Sequence, residues 1–286
     1  MTVRTAMAKS ASTSSLRMRA AVHAKPWQAI DVFDLSQGVG VEVRFTNIAS
    51  MGGMYLRQEL PVILIASERP AGRQRFTCAH ELGHHVFGDG SRVDELFDVS
   101  TERRQRSDEE LRADMFAGLL LMPKTAVQHG FAVRDLELST VTAIDVLRVS
   151  CWLGVGYTTL LQHIKYALHI IPEDRFQDLM RYTPKSIRQS VLDRGETGDL
   201  IIADDHWDSR PIDLKVGDIL LAPAGATVEG RACAPKTNLK RGSLFAAVTP
   251  GVARVETSGW AAFVRVTRDR YEGRSVFRHL EEIDDE

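Results

Sequence analysis

The sequence predicts an α+β chain, on three observations. Short β-type runs precede a helix carrying His80-Glu81-x-x-His84, a strongly apolar helix follows at residues 110–122, and β-like runs separated by Gly and Pro return after residue 199. Strands ahead of a ligand-bearing helix build a small two-layer domain. At 286 residues the chain is long enough for two or three domains. The expected ones are residues 1–134, a helical domain at 135–192 and a β-rich domain at 193–286.

In chain order, residues 1–19 are rich in Ser, Thr and Ala and carry Arg4, Lys9, Arg17 and Arg19 with no acid. That composition is like a transit peptide. Residues 16–36 read as an amphipathic helix, and the runs 41–45, 53–57 and 62–66 read as strands. Pro70 is well placed near the start of the next helix. From Asp89 to Glu109 runs a long polar connection with Arg103, Arg104 and Arg106. Loops of that length are often functional. It is either a cover over a cleft, helping to choose the substrate, or a solvated surface loop. Residues 135–192 read as mostly helical with a turn at Gly154, and 184–199, containing Gly195 and Gly198, as a linker. The runs 200–203, 218–222, 243–248 and 260–267 read as strands, and 281–286 as a solvated acidic end.

The chemistry sits in His80-Glu81-x-x-His84. At roughly 100° per residue, the two histidines lie about 40° apart on one helix face. Phe76, Ala79, Leu82, Gly83, Val86 and Phe87 form an apolar arc of about 140° expected to face the core. The imidazoles stand at one edge of it and Glu81 lies further round. His85 points away and reads as a surface histidine, and Cys78 reads as packing. Gly83 lowers helix propensity, so close packing or ligand access is its expected role. Two imidazoles on one face with a carboxylate between them suit a catalytic zinc ion, the carboxylate serving as general base. A bare pattern of this length also arises by chance.

Catalytic zinc usually takes three protein ligands and leaves one position for water. Residues 110–122 form a helix that is apolar in nearly every direction and stops at Pro123. A helix of that kind is normally buried, yet Glu110 and Asp114 lie one turn apart on it, and buried carboxylates need partners. A shared metal site accounts for both: Glu110 as ligand, Asp114 accepting from a ligating histidine. A capping box from Ser107 to Glu110 competes for the same carboxylate. Glu109 is the alternative ligand if the helix phase is off by one.

Thr77-Cys-Ala-His-Glu-Leu-Gly-His84, followed by Glu110-x-x-Ala-Asp-x-Phe-Ala-x-x-Leu-Leu-Met-Pro123, resembles the ImmA/IrrE metallopeptidases. Asp145-Val-Leu-Arg-Val-Ser-Cys-Trp-Leu-Gly-Val-Gly156, leading into Leu160-Leu-Gln-His-Ile164, is similar to the short helix-turn-helix that follows the catalytic domain there. The likeness covers roughly residues 35–170. Gly156 departs from it, since that turn often carries serine in the family. The resemblance implies a cytoplasmic bacterial peptidase of gluzincin type. It would cleave a helix-turn-helix repressor at one site and so induce stress and DNA-damage genes. It implies His80, His84 and Glu110 as zinc ligands and Glu81 as the catalytic glutamate; manganese or iron could also occupy a His₂Glu site. It makes a ragged N-terminus the expectation for residues 1–19. The β-rich extension suggests the IrrE type, tied to the radiation response, and a GAF-like sensor fold with a small-molecule or redox signal as candidate input. A plain protein-interaction or structural domain is the alternative.

Composition narrows the classes further. An apolar fraction of 44% can fill real cores, and a net charge of −2 gives no general pull toward nucleic acid. The three cysteines, Cys78, Cys151 and Cys233, are widely spaced and form neither a disulfide framework nor a CxxC knuckle, so a reducing cytoplasm fits. The chain contains no run of 18 apolar residues, so no membrane-spanning helix is expected. Between Ser139 and Ile171 the basic side chains, histidine aside, are Arg148 and Lys165 against Asp145. DNA affinity rests largely on phosphate neutralisation, so the helical unit reads as a packing or protein-docking element and the expected partner is a DNA-binding protein. Two other readings remain: a non-proteolytic metal-binding regulator acting through DNA or protein, and a metal-dependent hydrolase of small molecules.

Overall fold

The computed structural model describes residues 3–48, 51–95, 107–192, 197–208, 210–239 and 241–280. Arg103, Arg104 and Arg106 of the long connection, Gly195 and the acidic end 281–286 lie outside the described residues. The chain forms two compact units: residues 1–129 with 272–275, and residues 130–271 with 276–286.

The first unit begins with a correction. The stretch expected to be ragged is helix α1 (Val3–Ala21), whose buried residues Ala11, Ser15 and Arg19 recur every fourth position and pack α1 along α4 (Asp108–Leu121). Arg19 is buried and donates to the carbonyls of Leu120 (2.9 Å), Lys25 (3.1 Å) and Gln28. The single helix expected over 16–36 is also interrupted. Pro26 lacks an N–H and its ring clashes with a preceding turn. The chain restarts at Asp31, which caps α2 (Val32–Gly38) by accepting from the Phe33 and Asp34 amides.

Strands β1 (Glu42–Thr46), β2 (Met51–Leu56) and β3 (Val62–Ala66) lie within a residue or two of their expected places. With β4 (Arg92–Glu95) and β13 (Gly273–Arg274) they form a five-stranded sheet ordered β13-β1-β3-β2-β4. The β1–β3 pair is parallel and the other pairings are antiparallel. Part of the connection after Asp89 is thus a strand paired to β2. Alternate residues of β2 (Met51, Gly53, Tyr55) are buried, as a strand covered on one face requires.

Helix α3 (Ala71–Phe87) follows β3, packs on β2 and β3, and also packs on α4. From Cys78 to His84 it is buried all round. The apolar arc faces α4: a Cβ on Gly83 would lie 3.2 Å from both the Ala113 Cα and Phe116 Cδ1, and Phe87 meets Phe116 edge to face at 5.7 Å. Its polar side carries Gln74, Cys78 and His85, each with a partner. The Gln74 amide donates to Ala66 O and Ser67 O. Cys78 contacts Ser36, and His85 Nδ1 is 2.9 Å from the Tyr55 hydroxyl. His85 is therefore a half-buried bonded residue rather than a surface one.

After α5 (Lys124–Ala132), α6 (Ala143–Leu153) of the second unit is bent by 97° from the helical stretch Tyr157–Ala167 that begins with α7 (Tyr157–Gln162). Gly154 ends α6 in the left-handed region. Helices α8 (Glu173–Leu179) and α9 (Pro184–Val191) follow. Pro184 opens α9 where a linker was expected, because Thr183 and Ser186 cap it reciprocally and Pro suits the first turn. The remaining strands are β5 (Leu200–Ile202), β6 (Ile212–Lys215), β7 (Ile219–Ala222), β8 (Thr227–Glu229), β9 (Cys233–Leu239), β10 (Gly242–Ala247), β11 (Gly251–Glu256) and β12 (Ala261–Thr267). They make two four-stranded sheets, β5-β7-β10-β9 and β6-β12-β11-β8. This topology does not by itself give a GAF-like assignment. Two similar segments, Gly198-Asp-Leu-Ile-Ile-Ala203 and Gly217-Asp-Ile-Leu-Leu-Ala222, supply β5 and β7, paired parallel with Leu200 opposite Ile219. Buried Asp218 ties the two starts together by accepting from the Asp199 and Lys215 amides. Helices and sheets of this unit are joined by Arg134, bidentate on Asp204 at 2.7 and 2.8 Å, and by Arg210 donating to Trp152 O.

Arg19→Met would leave buried carbonyls without their charged donor. Denaturant unfolding is expected to show a loss of roughly 2–3 kcal/mol, and an unchanged midpoint would contradict the anchoring role.

Candidate metal centre

The site is built where α3 meets the first turn of α4. Ser107 caps α4 by accepting from the Glu110 amide at 3.3 Å. The Glu110 carboxylate turns to the histidines: Oε2 is 3.2 Å from His80 Nε2 and Oε1 is 3.5 Å from His84 Nε2. The two Nε2 atoms are 3.1 Å apart. Both histidines are buried, while Glu110 and Asp114 keep 26% and 27% of their side chains exposed, which leaves the cluster open on the α4 side. Of the expected site residues, His80, His84, Glu110 and Asp114 come together at this point.

Proton placement follows from the partners on the far side of each ring. His80 Nδ1 lies 3.0 Å from Asp114 Oδ1, and His84 Nδ1 lies 2.9 Å from Asp89 Oδ2. An ionised carboxylate can only accept, so each Nδ1 carries a proton and each neutral imidazole presents its Nε2 lone pair. Two lone pairs and a carboxylate oxygen then converge within 4.8 Å of one another. That arrangement repels itself unless a positive charge sits at its centre. In the metal-free chain burial works against a charged His80, but hydrogen bonds to Asp114 and Glu110, with the charges of Asp114 and Glu81, outweigh it and push its pKa up to about 10. The His80 Nε2–H of that charged form donates to Glu110 and holds its carboxyl far below the usual carboxylate range. The donor set also fits a metal. Tetrahedral zinc with bonds near 2.0–2.1 Å needs ligand atoms about 3.3–3.4 Å apart, against 3.1 Å between the two Nε2 atoms and 3.2 Å from Glu110 Oε2 to His80 Nε2 here.

Glu81 is fully buried beside the sheet. Gly53 of β2 makes room for it: a Cβ there would fall 2.5 Å from Glu81 Oε1 and 2.4 Å from Thr77 Cγ2. Sequence reasoning missed both Gly53 and Asp89. The signal for Asp89 was available, since Gly88 two residues beyond Val86 marks a helix end that turns the next residue back. Nothing local marks Gly53, whose role comes from a strand meeting a helix.

Among the described residues, His80, His84 and Glu110 form a donor set able to hold a metal ion. Comparison with known proteins points to the same region. Residues 37–147 match the family described as IrrE N-terminal-like domain. Over 122 residues the chain is 31% identical to the radiation response metalloprotease IrrE of Deinococcus radiodurans. This alignment covers 42% of the present chain and 37% of that relative, so the chain spans well under half of the protein it matches. The family match ends at residue 147, before most of the second unit.

Glu110→Ala removes the donor that lies outside the His-Glu-x-x-His motif. Metal analysis after purification is expected to show stoichiometric zinc in the parent and a tenth or less in the variant. Full retention would place the third ligand elsewhere, Glu109 being the first alternative.

Proposed function

We propose that the chain is a zinc-dependent endopeptidase of the gluzincin type whose substrate is a helix-turn-helix repressor, cleaved at one site to release stress and radiation-response genes. The observation that carries the catalytic part is the convergence of three lone-pair donors, His80, His84 and Glu110, each imidazole backed by a carboxylate. These three residues would hold the metal; manganese or iron could take its place in a His₂Glu set. When bound, the metal supplies Lewis-acid polarisation of a carbonyl and a more acidic water. Glu81 takes the proton from the attacking water and delivers it to the departing amine nitrogen, which balances the hydrolysis. Asp114 holds His80 in the tautomer that turns the Nε2 lone pair toward Glu110 and His84.

The substrate class rests on the likeness to a radiation response metalloprotease and on the chemistry of the second unit. The 97° bend after α6 suits a helix-turn-helix. Its two cations are already engaged: Arg148 pairs with Asp145 at 3.0 Å and Lys165 with Glu173 at 2.5 Å. Few charges are left for phosphates, so we read this element as docking protein rather than DNA. A reducing, cytoplasmic setting is part of the proposal and is supported by three free cysteines. No single helix among the described residues is long and apolar enough to cross a membrane. A sensor role for the β-rich part forms no part of the proposal.

Incubating the metal-loaded protein with candidate repressors should give one defined cut. Glu81→Gln is expected to slow it by roughly 10²–10⁴-fold with metal content intact. Undiminished cleavage by that variant would remove the peptidase reading. Steeply salt-dependent DNA binding that survives loss of His80 would favour the regulator reading. Gly53→Ala should also retain its metal, yet lose about 10²-fold in rate because Glu81 is displaced. A parental rate would show that β2 does not set the base.

A further inference from the structure

We propose that Asp89, anchored by Arg112, is a positioning residue for His84. The inference rests on the metal-site reading above. Asp89 is placed by the end of α3. Gly88 adopts φ 73°, its N–H reaches His85 O at 3.2 Å, and the Asp89 N–H reaches His84 O at 3.0 Å. This closing turn folds the residue after the helix back onto the last turn, under the His84 ring. Oδ2 then accepts the Nδ1–H of His84 at 2.9 Å while Oδ1 accepts from Arg112 at 2.9 Å.

Arg112 fixes more than the carboxylate. It lies on α4 between Glu110 and Asp114, and its guanidinium stacks 4.2 Å from the Phe87 ring centroid. One side chain thus grips both Phe87 and Asp89 at the C-terminal end of α3, from the helix that supplies Glu110. A second arginine holds the turn from the sheet side: Arg57 donates to Gly88 O at 3.2 Å, and its amide donates to Ser91 Oγ at 3.0 Å. With both oxygens engaged and its side chain only 8% exposed, Asp89 has one orientation available. That orientation holds the His84 tautomer and ring plane, and through Arg112 couples the second histidine to the helix bearing the third ligand. Groups that hold the far nitrogen of a ligating histidine typically matter 10–100-fold to metal affinity.

The test is zinc affinity of the full chain, measured by competition with a chromogenic chelator, together with the d–d spectrum of the cobalt-substituted protein. Asp89→Ala is expected to bind zinc about 10–100-fold more weakly, with displaced cobalt bands because the His84 ring turns at the metal. Arg112→Ala should show a smaller loss in the same direction. Asp89→Asn, which keeps an oxygen to accept the Nδ1–H, should recover most of the affinity. His84→Ala and Glu110→Ala serve as controls. If they lose zinc while Asp89→Ala binds within twofold of the parent and its cobalt bands do not move, the positioning role is overturned and the metal site stands. If the controls bind as the parent does, the metal-site reading falls and the inference with it. Should Asp89→Ala fail to fold, Arg112→Ala is judged by the same two readouts, and parental affinity with unmoved cobalt bands in that variant overturns the role.

Discussion

The close approach of α3 to α4 governs the chemistry of the first unit. His80 and His84 are fixed by one helix and Glu110 by the other, so the three donor atoms meet only if the helices pack at short range. Gly83 allows this by placing no side chain against Ala113 and Phe116. Beneath it, Phe87, Phe116 and Arg112 fill the seam. On the outer side of α4, α1 adds a further layer anchored through Arg19. A shift of either helix by a fraction of a turn would separate lone pairs that must share one centre.

That packing creates an electrostatic demand as well as a geometry. Two imidazole lone pairs and a carboxylate facing one another are unfavourable in a partly water-excluded place, and carboxylates behind both rings prevent the protons from moving to the front. The metal-free site answers with an extra proton on His80, the origin of its raised pKa. A divalent cation would answer the same demand, and its binding would expel that proton. The base, Glu81, stands about 60° round α3 from His84 and about 100° from His80, on the side where Gly53 leaves it space against the sheet. Ligation and base chemistry are therefore held by different neighbours, α4 for one and β2 for the other.

Much of this was legible in the sequence because it is written in local spacing. The motif fixes two imidazoles on one face, and the pair Glu110 and Asp114 stands out on an otherwise apolar helix. The strands of the first sheet show as compact apolar runs. What escaped notice depends on tertiary contact. Beside the apolar arc, α3 carries Gln74 and His85, which look solvent-facing until their partners Ala66 and Tyr55 on the sheet are known. Helix α1 hides because its buried stripe is Ala, Ser and Arg rather than large apolar residues. In the second unit, β6 and β11 alternate, as Ile-Asp-Leu-Lys and Gly-Val-Ala-Arg-Val-Glu, and so lack the continuous apolar run that marks β5 and β7. Polar β9 is held by pairing with β10 rather than by any pattern of its own.

The central claim is that one cation sits among His80, His84 and Glu110, and zinc K-edge X-ray absorption of the metal-loaded chain tests it most directly. The account predicts two imidazole nitrogens and light oxygen scatterers at about 2.0–2.1 Å with no sulfur. A sulfur shell near 2.3 Å, or a spectrum showing a single imidazole, would contradict it.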